Sequence, residues 1–228
     1  MQVSVIIPTW NEEAHIARTL DHLLKFGGPS IHEILVADGE STDQTVEIAR
    51  TRGVNVLPLR RKGRPFQMND AAKLATGDIL FFLHADVQLR EDFTEDFSML
   101  YDSELEAACY YYRFDTERKL PQINAWFTRF NVLAFRGGDQ GLMIRRDVFY
   151  ELGGFDEKFV VMEDFDLVRK LMRRKRFKVI PKQITVSARK YEKNGWLKIQ
   201  IANLIAFTMF RFNTDPRRIR DFYYGFLK

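Results

Sequence analysis

The sequence predicts an α/β fold built on a mostly parallel sheet that is flanked by helices. Short apolar runs rich in β-branched residues alternate with segments of helical periodicity through the first half of the chain. This βαβαβ order implies parallel strands joined by right-handed crossovers. A length of 228 residues with an apolar share of 46% suits one domain with a sizeable core. A Rossmann-like, nucleotide-binding arrangement is therefore the leading interpretation.

Four strands are predicted in the first half, each as a short apolar run. They are Val3–Ile7, Glu33–Asp38, Asn55–Leu59 and the run that opens at Ile79. The first strand leads through the turn Pro8–Glu13 into a helix, for which Thr9 or Asn11 is the expected cap. The buried face of that helix consists of apolar residues at helical spacing: Ile16, Leu20, Leu23 and Leu24.

Two more helices separate the later strands of this half. One passes through Val46, Ile48 and Ala49. The other follows the basic, glycine-containing loop Arg60–Pro65 and has apolar residues at Met68, Ala71, Ala72 and Leu74.

The second half continues the alternation less regularly. A helix through Phe93, Phe97 and Leu100 precedes the predicted strand Ala107–Phe114, and residues 115–136 are expected to form a helical cover or a lid. After the glycine-rich stretch Gly137–Gly141 come a strand at Leu142–Ile144, a short helix at Phe149–Gly154 and a loop. Another helix opens at Met162, with Leu167, Val168 and Leu171 on its inner face. Trp196–Phe212 is predicted to be an amphipathic helix that packs on the core or a second copy, or lies in a membrane interface.

Charge is distributed unevenly along the chain. Residues 1–166 hold 18 Lys+Arg and 28 Asp+Glu, whereas residues 167–228 hold 17 and 3, so the net charges are −10 and +14 and their sum is +4. A basic end indicates attraction to anionic phosphates or to an anionic membrane face. Nucleic acid is the competing partner, but no recognition motif accompanies the charge, so no nucleic-acid partner is expected.

A cytoplasmic location is the default expectation. Cys109 is the one cysteine, which excludes an internal disulfide, and no basic and apolar leader precedes the first strand. The basic, apolar end makes contact with the inner face of the cell membrane compatible with this expectation.

The run that opens at Ile79 ends abruptly in His84 and Asp86. If the strand continues through them, these two side chains share one face and Ala85 points away. An imidazole and a carboxylate so placed can hold a divalent cation, and the cation can hold phosphate oxygens. A strand that simply ends in a polar turn is the alternative.

Asp38 and Asp86 follow two strands of the same predicted sheet, so they are expected to converge on one crevice. Asp38 can accept hydrogen bonds from a base or ribose, or it can cap the following helix. Arg64, beside Gly63, can reach a phosphate or base, or it can remain a solvated loop charge.

Four motifs in order and register resemble those of the inverting glycosyltransferases of family 2, which have the GT-A fold. They are Val5–Glu13, Val36–Asp43, Phe82–Asp86 and Met162–Asp164. The resemblance covers about residues 3–190. It is strongest to a bacterial subgroup with a Leu-His-Ala-Asp metal motif, preceded here by Gly63–Asn69. Members of that subgroup are often labelled arsenosugar-type glycosyltransferases.

The resemblance implies a nucleotide-sugar pocket and a divalent metal, Mn²⁺ or Mg²⁺. Asp86 matches the last carboxylate of the family's DxD motif and is the implied metal ligand. His84 replaces the first Asp, which lowers the negative charge of the site, and the alternatives for it are contact with the metal, with the ribose or with neither. The implied nucleotide-sugar-binding residues are Pro8, Thr9, Asn11, Glu12, Asp38, Arg64, Gln67, His84, Ala85, Asp86, Arg189 and Lys190.

Asp164 matches the family's catalytic base. In an inverting transfer the acceptor hydroxyl attacks the anomeric carbon directly, so one carboxylate must take its proton. Glu163 is adjacent and is assigned to the acceptor side together with Gly138, Asp139 and Gln140. The alternative is that Glu163, Asp164 and Asp166 merely favour the start of a helix.

The expected activity is therefore metal-dependent, inverting transfer from a nucleotide-diphosphate sugar, UDP-linked in the first instance, to a hydroxyl acceptor. Residues 1–114 would form the nucleotide-sugar-binding half, residues 115–190 the acceptor half and residues 191–228 a helical extension. A lipid-linked acceptor, peripheral membrane contact and a homodimer are compatible with that extension. The rival functions are a sugar-nucleotide pyrophosphorylase and a non-catalytic nucleotide-sugar binder at the membrane surface.

Overall fold

The computed structural model describes residues 1–59 and 61–227, so Arg60 of the expected basic loop and Lys228 lie outside the described residues. The strands are β1 (Val3–Thr9), β2 (Ile31–Asp38), β3 (Asn55–Pro58), β4 (Ile79–Phe82), β5 (Ala107–Phe114), β6 (Leu142–Arg145) and β7 (Phe177–Val186). The helices are α1 (Ile16–Phe26), α2 (Thr45–Arg50), α3 (Arg64–Leu74), α4 (Thr94–Tyr101), α5 (Lys119–Phe127), α6 (Arg146–Glu151), α7 (Glu163–Arg173), α8 (Arg189–Asn194), α9 (Trp196–Arg211) and α10 (Pro216–Phe226).

The strands form one seven-stranded sheet in the order β3-β2-β1-β4-β6-β5-β7. Strands β1 to β4 are parallel, β6 runs antiparallel between β4 and β5, and β7 is parallel to β5. The predicted mostly parallel α/β fold is confirmed. Since parallel strands end at the same edge, Thr9, Asp38 and Phe82 mark one edge of the sheet.

Apolar residues are buried on both faces of the sheet, as helical cover on both sides requires. All seven residues of β1 are buried. Ile16 and Leu20 of α1 pack on one face, and Met68 and Ala71 of α3 pack on the other. The predicted buried face of α1 is wrong at Leu24, which is 52% exposed.

The expected cap of the first helix is also wrong. Thr9 still belongs to β1, and α1 begins only at Ile16. Asn11 has a left-handed backbone with φ of 54°. The chain makes an extra turn before the helix, in which the carbonyl of Glu12 accepts hydrogen bonds from the backbone N–H groups of His15 and Ile16.

Strand β7 has no counterpart among the predicted strands. It is an edge strand in which buried and exposed residues are mixed, so it contains no continuous apolar run. Its pairing with β5 is interrupted after Ile180, which opposes Tyr110, before Gln183 opposes Tyr111. Pro181 lies in this irregularity, where a residue without a backbone N–H is tolerated.

The C-terminal helices pack on the rest of the chain. Helix α9 buries Ile199, Ala202, Ala206 and Phe210. The ring of Phe210 contacts Phe159 and Phe165 at the start of the α7 region. Within the described ranges, no helix combines the length and the apolar character that a membrane crossing requires.

Candidate active site

The site lies at the sheet edge where the parallel strands end. Thr9, the last residue of β1, donates a hydrogen bond from Oγ1 to Oδ1 of Asp38 at the end of β2, over 3.0 Å. The backbone N–H of Ser41 donates to the other oxygen of Asp38 over 2.9 Å. Asp38 is buried and accepts bonds from the turn that follows it. Its carboxylate therefore stabilises the turn after β2, in addition to any contact that it makes with a ligand.

The turn after β1 and the turn after β2 are locked together. Oδ1 of Asn11 accepts from the backbone N–H of Thr42 over 2.8 Å, and the N–H of Asn11 donates to Oγ of Ser41 over 2.9 Å. The N–H of Glu12 donates to Oγ1 of Thr45 over 2.8 Å. These bonds fix the backbone of the predicted pocket, while the Glu12 side chain reaches Arg189 across the cleft.

Gln67 lies behind the pocket wall. Its Nε2 donates to the carbonyl oxygens of Thr9 and Ala37, each over 2.7 Å, and the residue is 3% exposed. Pro8 is also buried, inside β1. The structure thus places Gln67 and Pro8 as supports of the strand ends, and the Gln67 amide nitrogen is already paired within the protein.

The predicted metal motif lies beyond its strand. Strand β4 ends at Phe82, so His84, Ala85 and Asp86 occupy a turn, and the alternation expected of a continuing strand is wrong. Ala85 is buried and its carbonyl accepts a 2.6 Å hydrogen bond from Thr19 Oγ1 on α1. The motif is therefore held in place by hydrogen bonds to the carbonyl groups of this turn, and not by the pairing of a β-strand.

Asp86 faces the cleft. Its Oδ2 lies 3.3 Å from the guanidinium of Arg189, and its side chain is 15% exposed. Burial, and then the nearby charge of Asp139, raise the pKa of the Asp86 carboxyl above its ordinary value. A carboxylate whose ionised form is unfavourable in isolation gains from a cation at the same place.

The residues present fit a divalent metal of one particular kind. In the described part of the chain, no three His, Cys, Asp or Glu side chains are grouped closely enough to hold a metal by themselves. Mg²⁺-like ions are commonly held by one or two carboxylates together with substrate phosphates. Asp86 can supply such a carboxylate, so the geometry suits a metal that is bound jointly with a diphosphate.

His84 makes its visible contact on the other side of the cleft. Its Nδ1 is hydrogen-bonded to Oδ1 of Asp139 over 3.0 Å, and the imidazole is almost fully buried. A Cβ atom at Gly138 would lie 2.8 Å from Nε2 of His84 and 2.7 Å from Oδ2 of Asp164. His84, Asp164 and the backbone of Gly138 therefore meet at one point, with room only for glycine.

Glu163 and Asp164 open α7 after Met162, whose backbone is left-handed with φ of 72°. Burial, followed by the charge of Asp164, raises the pKa of Glu163 to about 8, and burial also raises the pKa of Asp164. Arg64 reaches the pair from α3, with its Nη1 3.9 Å from Oε1 of Glu163. Two adjacent buried carboxyls therefore both have raised pKa values, and the pKa of Glu163, at about 8, favours its protonated form.

Asp166 does not belong to this pair. It forms ion pairs of 2.7 Å with Arg169 and 2.9 Å with Lys170 within its own helix. The alternative in which the acidic residues only favour the helix start therefore describes Asp166, but it does not account for the contacts of Glu163 with Arg64 or of Asp164 with the glycine loop.

The glycine loop presents one of its two predicted polar side chains. Asp139 is half-exposed, and although desolvation opposes ionisation, the hydrogen bond from His84 holds the pKa of Asp139 well below its usual range. Gln140 is buried, with Nε2 donating to the carbonyl of Tyr110 over 3.0 Å and Oε1 accepting from the N–H of Gly137. Gln140 thus anchors the loop, while Asp139 faces the cleft.

Arg189 and Lys190 begin α8 beside the same cleft. Arg189 makes a bidentate ion pair with Glu12, over 2.6 and 2.7 Å, in addition to its contact with Asp86. Lys190 donates a short hydrogen bond to the hydroxyl of Tyr223 on α10. Tyr223 was not among the predicted site residues, and the signal that could have indicated it is the aromatic run Phe222–Tyr224 in the basic C-terminal part.

Comparison with known proteins gives a family match over two thirds of the chain. The family profile "Glycosyl transferase family 2" matches residues 4–155. An uncharacterized glycosyltransferase of Rickettsia typhi is 31% identical over 102 residues, which are 45% of this chain and 34% of that protein. The poly(ribitol-phosphate) β-N-acetylglucosaminyltransferase TarS of Staphylococcus aureus is 31% identical over 109 residues, 45% of this chain and 19% of TarS. The matched segments thus span a third or less of the curated relatives.

Solved structures of low sequence identity share the fold. The mannosyltransferase PcManGT of Pyrobaculum calidifontis, in complex with GDP-Man and Mn²⁺, superposes with a TM-score of 0.72 at 22% identity, over 92% of this chain and 64% of that one. S. aureus TarS residues 1–349, in complex with UDP, gives 0.69 at 21% identity, over 100% of this chain and 71% of that one. The GT-A fold is confirmed by these likenesses, and the matching profile shows that the chain belongs to glycosyl transferase family 2.

Proposed function

We propose that the chain is an inverting, metal-dependent glycosyltransferase that moves a sugar from a nucleotide-diphosphate donor to a hydroxyl acceptor. The observation that carries the proposal is the convergence of carboxylates at one edge of the sheet. Asp38 ends β2, Asp86 follows β4, and Asp164 opens α7 against the same cleft. Their division into nucleotide, diphosphate and acceptor positions matches what a direct displacement needs.

Asp164 has the role of general base. The acceptor hydroxyl attacks the anomeric carbon on the side opposite the leaving nucleotide, and Asp164 takes the hydroxyl proton. No second, nucleophilic carboxylate is needed, because the reaction has one displacement step. When bound at Asp86, a divalent cation would supply positive charge for the departing diphosphate.

Cationic side chains lie where the donor diphosphate is proposed to bind. Arg189 lies 3.3 Å from Asp86 and is oriented by its bidentate pair with Glu12, and Arg64 lies on the opposite side near Glu163. Guanidinium groups favour bidentate binding of phosphate oxygens. Lys190 would join them when its contact with Tyr223 is released.

UDP is the proposed nucleotide and Mn²⁺ the proposed metal, with Mg²⁺ as its substitute. TarS was solved with UDP, and the glucosyl-3-phosphoglycerate synthase of Mycobacterium tuberculosis with UDP and Mn²⁺. PcManGT was solved with GDP-Man, so a guanine nucleotide is the next donor to test.

For the acceptor we propose only a class, a molecule that supplies a hydroxyl group. Relatives are named for a poly(ribitol-phosphate) acceptor and for a dolichyl-linked sugar phosphate acceptor. Either supplies a hydroxyl, and a lipid-linked acceptor agrees with the basic C-terminal part. We also propose that the chain belongs to the Leu-His-Ala-Asp subgroup, which is often labelled arsenosugar-type. A homodimer and a cytoplasmic location at the inner face of the membrane are further proposals.

We also propose which segments of the chain bind the donor and which bind the acceptor. Residues 1–114 form the nucleotide-sugar half and residues 115–190 the acceptor half, where Asp139 and Glu163 face the cleft. Residues 191–228 form a helical extension, which reaches the site through Tyr223.

The two rival functions fit the site less well. A pyrophosphorylase would need a glycine-rich phosphate loop after β1, where this chain has Pro8–Glu13 and uses it to bind the turn after β2. A non-catalytic binder would keep Asp38 and Asp86 but has no use for a buried carboxylate at Asp164, and burying an unused charge is costly.

Replacing Asp164 by Asn tests the proposal. Turnover should fall by about a hundredfold or more, the usual contribution of a general base, while donor affinity measured by calorimetry stays unchanged. Asp102→Asn, an exposed change at the end of α4, serves as the matched control. Full turnover in Asp164→Asn with intact donor binding would show that the base is assigned wrongly.

A further inference from the structure

The segment from α5 to Val132 exposes large apolar side chains to solvent and turns polar side chains toward the protein. Six large apolar side chains point to solvent: Leu120 (50% exposed), Ile123 (50%), Trp126 (47%), Phe127 (39%), Phe130 (42%) and Val132 (47%). We call these six residues the α5 face. Their neighbours toward the protein are small, since the buried apolar residues of the helix are Pro121 and Ala125.

Polar groups attach this segment to the sheet from within. Gln122 Nε2 donates to the carbonyls of Phe114 and Thr116, over 2.8 and 2.7 Å. The buried guanidinium of Arg136 donates to the carbonyls of Thr128 and Phe130. A helix on a solvated surface ordinarily buries its apolar side chains and exposes its polar ones. Here the polar anchors hold the α5 face outward in a fixed position.

Rings within the α5 face contact one another. The ring centroids of Trp126 lie 5.1 Å from Phe127 and 5.0 Å from Phe130. Leu120, Ile123 and Phe127 follow helical spacing on one side. A contiguous exposed apolar surface of this kind indicates an interaction site.

The charge around the α5 face is predominantly positive, although the exposed Glu117 directly precedes Arg118. Residues 118–138 contain Arg118, Lys119, Arg129 and Arg136 and no Asp or Glu. Arg136 is buried, so the other three cations form the rim, and the guanidinium of Arg129 lies over the Trp126 ring at 5.0 Å. The partner that this surface fits is therefore apolar within and anionic at its boundary.

An apolar cavity of about 430 Å³ adjoins the N-terminal end of the α5 face. It is lined by Arg118, Lys119, Leu120, Pro121, Tyr191 and Trp196. The indole N–H of Trp196 is buried and finds no hydrogen-bond acceptor among the residues that the structure describes. An apolar cavity lined in part by Arg118 and Lys119 suits an amphiphile with an anionic end.

We propose that the α5 face docks on an anionic phospholipid bilayer, with its aromatic side chains at the depth of the headgroups and Arg118, Lys119 and Arg129 on the lipid phosphates. Aromatic and apolar side chains rimmed by cations match the polarity profile of such an interface. A second copy of the chain fits less well, because a two-fold contact would bring the three cations of each copy together against a single neighbouring acid, Glu117. Docking does not depend on the proposed transfer chemistry, so it is testable without turnover.

Sedimentation with vesicles of the full 228-residue chain tests the docking. The vesicles are phosphatidylcholine alone, or phosphatidylcholine with phosphatidylglycerol at about one lipid in four. The chain should sediment with the anionic vesicles, less with the neutral ones, and progressively less as NaCl is raised. The double variant Trp126→Ser/Phe130→Ser should bind about tenfold more weakly, because two half-exposed aromatic side chains no longer enter the interface.

The matched control is Leu204→Ser on α9, where an even more exposed apolar residue (66%) lies outside the α5 face. It should bind like the parent chain, whereas Arg118→Ala/Lys119→Ala should weaken binding by about fivefold or more and reduce its salt dependence. Circular dichroism of each variant shows that it is folded. Equal binding of parent and Trp126→Ser/Phe130→Ser, loss of binding in Leu204→Ser instead, or a parent dimer in gel filtration that this double variant dissolves would each overturn the proposal.

Discussion

At the scale of single residues, the part of the site around His84 and Asp164 depends on the absence of a side chain at Gly138. His84, Asp164 and the loop backbone approach one another at Gly138, where a Cβ atom would stand within 2.8 Å of both side chains. No real Cβ atom tolerates such distances, so either the loop or the two side chains would have to move. The sequence indicated a glycine-rich loop here, but only the structure shows which glycine is required.

Gly138→Ala should lower turnover by about a hundredfold, because the added methyl group would displace Asp164, the proposed base. Even a small misplacement of a reacting group strongly lowers the rate. Gly137→Ala is its matched control, since nothing lies within 4 Å of the added methyl group and the backbone at Gly137 is extended, with φ of 177°. The steady-state rates of the two variants check the prediction. Equal activity of both would mean that the contact at Gly138 has no role in turnover.

Glu163 gives a pH dependence to stability. Its pKa is about 8 in the folded chain and 4.5 ordinarily, so the folded state holds a proton that the unfolded state has released across that interval. The free energy of unfolding should therefore fall as pH rises from about 4.5 through 8. Urea unfolding of the parent and of Glu163→Gln at several pH values measures this effect. The variant should lose less stability over the interval, and identical slopes would contradict the burial of an un-ionised Glu163.

At the scale of elements, the turns after β1 and β2 form one unit. Gln67 of α3 donates to the carbonyls of Thr9 and Ala37 and so joins the last residues of the two strands from behind. Hydrogen bonds from Asn11 join the same two turns from the front. The pocket wall is thus built by side chains that bind backbone, and only part of it is open to a ligand.

Gln67→Met keeps the side-chain length but removes the side-chain donor to two buried carbonyls, of which that of Thr9 still accepts from the N–H of Gly39. It should lower the free energy of unfolding by about 2 kcal/mol and weaken donor binding, since Asp38 is attached to the same strand ends. Gln44→Met, at an exposed position before α2, is the control and should change stability little. Urea titration and calorimetry with UDP are the measurements. Unchanged stability in Gln67→Met would show that its amide serves the ligand rather than the strands.

The elements that sequence predicted well are those with continuous apolar runs. Strands β1, β2 and β5 were placed within two residues of their observed limits because burial on both faces leaves a plain signal. Strand β7 gave no such signal, since three of the ten residues of this edge strand are exposed and three more are only partly buried. The same limit applies to the site: Asp86 and Asp164 stand out by motif, whereas Tyr223 reaches Lys190 only through the packing of α10.

At the scale of the whole molecule, opposite charges are brought together in the fold. The acidic part, residues 1–166, supplies Glu12, Asp86 and Asp139, and the basic part supplies Arg189 and Lys190. Carboxylates of the acidic part and a guanidinium of the basic part therefore meet at the cleft, where Arg189 contacts Glu12 and Asp86. Before any donor binds, Arg189 already offsets the carboxylates that would otherwise repel a diphosphate.

Nucleotide binding with and without metal is the most direct test of the account. Thermal unfolding is followed with UDP, GDP and their sugars, each with Mn²⁺ or with EDTA. One nucleotide with Mn²⁺ should raise Tm by about 5 °C or more at saturation, as expected for ligand at a hundredfold excess over Kd. The shift should be lost in Asp86→Asn and kept in His84→Asn. No shift with any nucleotide, or a shift that EDTA and Asp86→Asn leave unchanged, would contradict a metal-dependent glycosyltransferase.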